Sequence, residues 1–174
     1  MQAQGIQTMK IADAIIAEME QEAITTRKLF DIIPEDKLSW RPHPKAMSLG
    51  QLAMHIARLP AGVAGLANID TVEAPDFPPD PEATSRAEIL EAFSESLKKA
   101  ADIVGVTDDT RATAEWKMTK GGETLMAIPR LGVWRAILLN HSYHHRGQLS
   151  TYLRTLDVKL PSIYGPSADE SPFG

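Results

Sequence analysis

The feature that most constrains this chain is a long helical pattern, residues 129–156, with no proline after its first position. Apolar residues recur along it at the spacing of one helical face. They are Trp134, Leu138, Leu149, Tyr152 and Leu156. His141 and His145 fall on the same face, about one turn apart, so their imidazoles could converge on one metal ion. Histidines at this spacing also occur solvated or hydrogen-bonded, so the helix alone leaves both alternatives open.

The composition limits the class of protein. A length of 174 residues predicts one domain, residues 1–174, and the 43% hydrophobic and 24% charged fractions are ordinary for a soluble globular protein. The net charge is -5 and no block of lysine and arginine stands out, so no nucleic-acid contact is expected. The chain has no cysteine, which removes disulfides and thiolate ligands. A metal site would therefore depend on histidine and carboxylate side chains.

The sequence also carries expectations about location. No apolar segment is long enough to span a membrane. Residues 1–5 have neither the basic region nor the apolar run of a signal peptide. A cytoplasmic protein is expected.

Three further helices are predicted upstream, over roughly residues 8–33, 48–68 and 84–105. The second and third each open with the serine and glutamine or glutamate spacing of a capping box, Ser48 with Gln51 and Ser85 with Glu88. The acidic residues of the first helix are expected on its solvated face, because they lie mostly off its apolar stripe; they are Asp13, Glu18, Glu20 and Glu22. Four helices with polar outer faces indicate an all-α four-helix bundle.

The connections between the helices are informative as well. Residues 69–81 contain four prolines and are predicted to be extended rather than helical. At roughly 3 Å per residue this linker reaches about 40 Å, longer than a helix of twenty residues, so helices two and three could run parallel. Between helices three and four, residues 116–126 surround a Gly121-Gly122 turn and predict a short hairpin.

A third candidate metal ligand lies on the second helix. His55 is flanked by Leu52, Ile56 and Leu59 on the apolar face. A lone histidine in such a position is more often a hydrogen-bonded core residue than a ligand. It becomes a candidate because the last helix offers a histidine pair that lacks a third partner. Three imidazoles bind zinc, nickel or a similar divalent ion and leave coordination positions open, as a catalytic metal requires.

Several segments together resemble a known family. They are Leu38-Ser39-Trp40-Arg41-Pro42, residues 48–56 ending near His55, the run His141-Ser142-Tyr143-His144-His145-Arg146-Gly147-Gln148, and the tail at residues 161–170. The chain is similar in these segments to the DinB family of DinB/YfiT-like metalloenzymes. The resemblance implies a four-helix bundle in up-down-down-up order and a homodimer. It also implies a divalent metal held by His55, His141 and His145.

The resemblance implies a range of chemistry rather than one reaction. Members of the family include thiol-dependent S-transferases and a thiol-dependent isomerase. The expected function is a metal-dependent enzyme of S-transferase or hydrolase type that acts on a small molecule, with a low-molecular-weight thiol as a second cofactor. The alternative is a non-catalytic, stress-related or binding protein whose metal is structural. No catalytic residue beyond the ligands is identified.

Four residues beside the ligands carry weaker expectations. His144 projects to one side and is expected at the surface or a helix interface. Arg146 is expected either to form an ion pair or to contact an anion. Gly147 is expected to have a packing reason, since a glycine inside a helix costs roughly 1 kcal/mol against alanine. Gln148 shares the ligand face and could either support a ligand or lie in the core.

Overall fold

Helices dominate the computed structural model, which describes residues 9–76 and 78–173. The first three long helices are α1 (Ile11–Asp31), α2 (Leu49–Ala67) and α3 (Arg86–Gly105). A single 3-10 turn, Glu35–Lys37, follows α1. The predicted start of the first helix near Thr8 lies outside the described residues. Residues 1–5, to which the signal-peptide expectation refers, lie outside them as well.

The last long helix is divided into three segments. It comprises α5 (Arg130–Val133), a π-helical segment (Trp134–Asn140) and α6 (His141–Thr155), together called the C-terminal helix. The predicted helix over residues 129–156 is therefore present, but its middle is wound more loosely than an α-helix. π-Helical turns are rare and often occur at functional sites. Here the π segment ends directly before His141.

A small sheet corrects the all-α expectation. A short helix α4 (Asp109–Thr113) precedes the hairpin strands β2 (Glu115–Lys120) and β3 (Glu123–Pro129). The two strands pair antiparallel, and Gly121 and Gly122 turn the chain with φ of 59° and 85°. Such positive φ values favour glycine. The predicted hairpin is present, and its strands extend beyond residues 116–126 to Glu115 and Pro129.

The linker between α2 and α3 contains the third strand, which was not predicted. β1 (Thr71–Glu73) pairs parallel to β2, with Val72 opposite Met118. The sheet order is therefore β1-β2-β3. A parallel partner more than forty residues away leaves no local signal in a proline-rich segment. This pairing holds the first part of the linker beside the hairpin.

Residues further along α2 contact residues further along α3. Gly50, in the first turn of α2, lies against the chain just before α3, where an added Cβ would be 3.2 Å from the backbone nitrogen of Ala83. Further along α2, the Arg58 carbonyl accepts a hydrogen bond of 3.2 Å from Ser96 Oγ. The same hydroxyl accepts one of 2.9 Å from the amide of Ala61.

Two clusters of buried side chains form the core. One joins α1, α2, α3 and the end of the C-terminal helix and includes Phe30, Leu52, Phe93 and Leu149. The other joins the opposite ends of the helices to the hairpin and includes Met19, Ala64, Trp116 and Trp134. Trp116 is 1% exposed, and its indole nitrogen donates to the Leu66 carbonyl, which anchors β2 to α2. Among the described residues, no helix combines the length and apolarity needed to cross a bilayer.

Candidate metal centre

Three histidine rings meet between α2 and α6. The centroid of the His55 ring lies 5.6 Å from that of His141 and 4.5 Å from that of His145. The His141 and His145 centroids are 4.4 Å apart. One ring nitrogen from each residue lies within 4.8 Å of the other two. The structure therefore brings together the three side chains that the sequence identified as candidate ligands.

The local sequence explains how each ring reaches this point. His141 and His145 lie one turn apart on α6, and their Nε2 atoms are 2.5 Å apart. His55 follows Leu52 and precedes Ile56, which are 0% and 2% exposed and seat α2 in the core. The His55 ring is consequently held at the edge of the core, with 28% of its side chain exposed.

The two nitrogens of His55 have different environments. Nδ1 lies 2.8 Å from Oδ2 of Asp80, and because a carboxylate accepts, Nδ1 carries the proton. In the neutral ring, Nε2 then presents a lone pair. It is buried and has no hydrogen-bond partner among the described residues. A buried nitrogen without a partner costs free energy, and a metal ion held jointly with the other two rings would satisfy it.

His145 repeats this arrangement with a different partner. Its Nδ1 lies 2.8 Å from Oε1 of Gln148, so Nδ1 donates and Nε2 is left with a lone pair. The His145 residue is 8% exposed. Of the two expectations for Gln148, the geometry supports the one in which it orients a ligand.

The protonation state of the pair favours metal binding. Burial lowers the pKa of His145 to about 4, against the opposing effect of its hydrogen bond to Gln148. Burial also lowers the pKa of His141, and the nearby His55 and His144 rings lower it further. Both imidazoles are therefore neutral at pH 7, which is the form that binds a metal ion.

The remaining histidines do not join the cluster. His144 is exposed, and its ring centroid lies 5.0 Å from that of His145 and 6.5 Å from that of His141. His43 is exposed in the loop before α2, where its Nδ1 accepts a hydrogen bond from the Lys45 amide. The expected surface position of His144 agrees with the structure.

Asp80 contacts the site but was not predicted from the sequence. It lies in the linker between Pro79 and Pro81, and its other oxygen is 3.7 Å from the guanidinium of Arg58. An acid held between two prolines was the available signal, because proline restricts both its own backbone and that of the preceding residue. Nothing local to the linker indicates which histidine such an acid would meet.

Arg146 faces away from the three rings. It is 2% exposed, and its guanidinium lies 2.6 Å from a carboxylate oxygen of Glu22 on α1. It also donates to the hydroxyl of Tyr164 in the C-terminal tail. Arg146 therefore forms the ion pair that was one of its two expected roles. The expected solvated position of Glu22 is wrong, because the approach of α6 covers much of its side chain.

Gly147 also departs from expectation. A Cβ added there would meet nothing within 4 Å, and the residue is exposed. The expected packing reason is absent among the described residues.

A cavity of about 580 Å³ opens beside His55 and His141. It lies between α2, the sheet and the C-terminal helix, and its volume is within the range of small-molecule sites. Its walls are mainly apolar and include Leu59, Val63, Leu66, Trp116, Met118 and Ile137. Arg58 and Asp80 join the two histidines in supplying its charged and titratable side chains. We call this cavity the apolar cleft.

The family model of the DinB superfamily matches residues 18–149, a segment that contains all three clustered histidines. The chain belongs to the DinB superfamily. It is 26% identical to the uncharacterized protein YrdA of Bacillus subtilis over 165 residues, which cover 93% of each chain.

Solved DinB-like structures have a similar fold. A DinB-like protein from Bacillus cereus aligns with a TM-score of 0.66 at 22% identity and covers 87% of this chain and 97% of its own. The DinB-like protein YjoA from Bacillus subtilis aligns with a TM-score of 0.65 at 17% identity, over 86% and 96% of the two chains. At these identities the likeness supports the fold alone, which is mostly helical and DinB-like.

Proposed function

We propose that this DinB-superfamily protein holds a divalent metal ion, zinc or nickel, through Nε2 of His55, His141 and His145. We propose further that it is a metal-dependent enzyme acting on a small molecule. The observation that carries the proposal is the buried Nε2 of His55, which has no partner among the described residues and belongs to a ring clustered with those of His141 and His145. Three neutral imidazoles form a recurrent ligand set for these ions.

Two features favour a catalytic over a structural ion. Three protein ligands leave coordination positions open, whereas structural zinc sites are usually closed by four. The apolar cleft also reaches two of the ligands, so a small molecule could approach. When bound, such an ion supplies Lewis acidity and favours deprotonation of a water or thiol ligand.

The chain's own residues would prepare this site. Asp80 and Gln148 hold the His55 and His145 rings with the proton on Nδ1, which keeps both Nε2 lone pairs available. The apolar walls of the cleft limit water beside the ligands, which strengthens electrostatic interactions there.

The reaction type is proposed as S-transfer from a low-molecular-weight thiol, or hydrolysis. The chain has no cysteine, so a thiol nucleophile would have to come from a second small molecule. Glutathione, bacillithiol and mycothiol, each offered with a panel of electrophiles, test the first reaction, and activated esters test the second. Turnover that requires metal and is lost in His55→Ala would support the proposal. Metal-loaded protein that turns over neither set would contradict it.

A structural role for the metal is the competing proposal. It is favoured by the position of the ligands on two helices, because an ion there would tie α2 to α6. Binding to the folded state alone raises the free energy of unfolding. Thermal melts of metal-loaded and metal-free protein separate the two roles. If metal removal lowers the melting temperature strongly and leaves any activity unchanged, the structural role is supported. A negligible change in melting temperature would contradict it.

The proposal includes the arrangement of the long helices and the assembly. We place α1, α2, α3 and the C-terminal helix in a bundle of up-down-down-up order. The contacts of Gly50 with Ala83 and of Arg58 with Ser96 support a parallel pair of α2 and α3. A homodimer is proposed from the family, and light scattering coupled to size exclusion tests it.

A further inference from the structure

The apolar cleft has one chemically distinct end. His55 and His141 lie among its lining residues, so a molecule inside it would have one end at the proposed metal. The side chains toward the hairpin include Trp116, Met118 and Met126. Methionine adapts to ligands of irregular shape, and tryptophan offers a large apolar surface. The body of a bound molecule would therefore contact apolar side chains, and a group at its other end would reach the ligands.

The charges in the cleft nearly cancel. Its charged side chains are Arg58 and Asp80, whose nearest charged atoms are 3.7 Å apart. Asp80 also accepts from His55. Arg58 is 56% exposed at this point. Among the described residues, the cleft therefore offers no unpaired charge that would select a cationic or anionic body.

From this geometry, and resting on the proposed metal site, we infer that the substrate is a small molecule with an uncharged apolar body, alkyl or aryl. The body occupies the cleft between α2 and the hairpin, and the reacting polar group points toward the three histidines.

Gly62 provides a way to close the cleft without disturbing the core. It lies on α2 among the lining residues, and a Cβ added there would meet none of the described residues within 4 Å. Gly62→Leu would therefore place a side chain in open space within the cleft and replace a helical glycine with a better helix former. Gly65 lies on the same helix and is not among the lining residues, and within the described part of the chain nothing lies within 4 Å of an added Cβ. Gly65→Leu is the matched control.

The experiment uses hydroxamates of increasing chain length on the full-length, metal-loaded protein, with metal content measured first. Acetohydroxamate, hexanohydroxamate and octanohydroxamate share the metal-binding group and differ only in the apolar body. A fourth probe carries a carboxylate at the end of the octano chain. Isothermal titration calorimetry gives each dissociation constant for the wild type, Gly62→Leu and Gly65→Leu.

The expected result is a dissociation constant that tightens roughly two- to fourfold for each added methylene, as burial of apolar surface predicts. Gly62→Leu should remove this gain and leave acetohydroxamate binding unchanged, while Gly65→Leu behaves as wild type. The carboxylated chain should bind at least tenfold more weakly than octanohydroxamate.

Three results would overturn the inference and leave the metal site intact. The first is equal affinity for all chain lengths, and the second is tighter binding of the carboxylated chain. The third is a dimer that Gly62→Leu converts to a monomer, which would show that a second copy of the chain fills the cleft. If the protein holds no metal, the proposed function fails, and 1-octanol replaces the hydroxamates. Binding of 1-octanol that is lost in Gly62→Leu alone would then support an apolar site, and no binding would overturn it.

Discussion

Oδ2 of Asp80 lies 2.8 Å from Nδ1 of His55. The acid comes from the linker between α2 and α3, whereas the histidine lies on α2 itself. Their hydrogen bond fixes the proton on Nδ1. Nε2 is buried without a partner among the described residues, and the ring belongs to the three-histidine cluster. The linker thus takes part in preparing the site as well as joining two helices.

Asp80→Ala is expected to weaken metal binding by about 10- to 100-fold, the usual effect of removing a residue that orients a ligand. The protein should still fold, because Asp80 lies outside both core clusters. Competition against a chelator of known affinity measures the change. Asp76→Ala, an exposed acid of the same linker, is the control and should bind as wild type. Equal affinities for the two variants would show that the Asp80 contact does not support the ligand.

The ion pair of Arg146 with Glu22 predicts a large effect on stability. The Arg146 side chain is 3% exposed and the Glu22 side chain 19%. Glu22→Leu alone should lower the free energy of unfolding by about 3–5 kcal/mol, because it leaves a buried charge without its partner. The double variant with Arg146→Leu should recover much of that loss. Urea unfolding measures the free energy of unfolding of each variant. A double variant no more stable than the single one would show that the unpaired charge of Arg146 does not cause the loss.

Acidification is expected to destabilise the metal-free protein through its buried histidines. The pKa of His145 falls from an ordinary 6.5 to about 4 on folding, and that of His141 is also lowered. The unfolded chain therefore binds protons first as the pH falls. The stability that the two neutral rings contribute is fully present above pH 6.5 and is lost as the pH falls toward 4.

Urea unfolding in EDTA between pH 7 and 4.5 tests this dependence. His145→Gln should flatten the slope because it removes one of the two groups. His43→Gln, at an exposed histidine outside the cluster, is the control. Identical slopes for wild type and His145→Gln would count against the buried neutral imidazole.

Gly147 offers a stabilising substitution beside the site. It is exposed within α6, and no atom of residues 9–76 or 78–173 would lie within 4 Å of an added Cβ. Gly147→Ala should therefore raise the free energy of unfolding by about 0.5–1 kcal/mol. Gly121→Ala is the contrast, since its φ of 59° disfavours a side chain and the substitution should destabilise. Thermal melts measure both, and a destabilised Gly147→Ala would indicate a constraint that this exposed position does not reveal.

Local features could be predicted from the sequence. Ser48 and Gln51 form both hydrogen bonds of the capping box, because the partners are three residues apart in one turn. The third helix shows the limit of such patterns. Ser85 accepts from the Glu88 amide as expected, but the Glu88 side chain accepts from the Thr84 amide instead. The pairing of His141 with His145 was likewise predictable, because helical geometry alone sets it.

Features that depend on distant parts of the chain could not be predicted. β1 forms only because β2 lies beside it, and the linker sequence alone indicates extended chain. Asp80 meets His55 because that linker is held against the sheet and α2. Glu22 lies near Arg146 because α6 packs on α1, although its own helix suggested solvent. In each case the partner is more than twenty residues away.

Metal content tests the central claim most directly. Protein made without a histidine tag, then loaded and dialysed, should retain about one zinc or nickel ion per chain by elemental analysis. His55→Ala, His141→Ala and His145→Ala should each lose it, and His144→Ala should keep it. A wild-type protein without bound metal, or an ion that persists when His55 is removed, would contradict the three-histidine site.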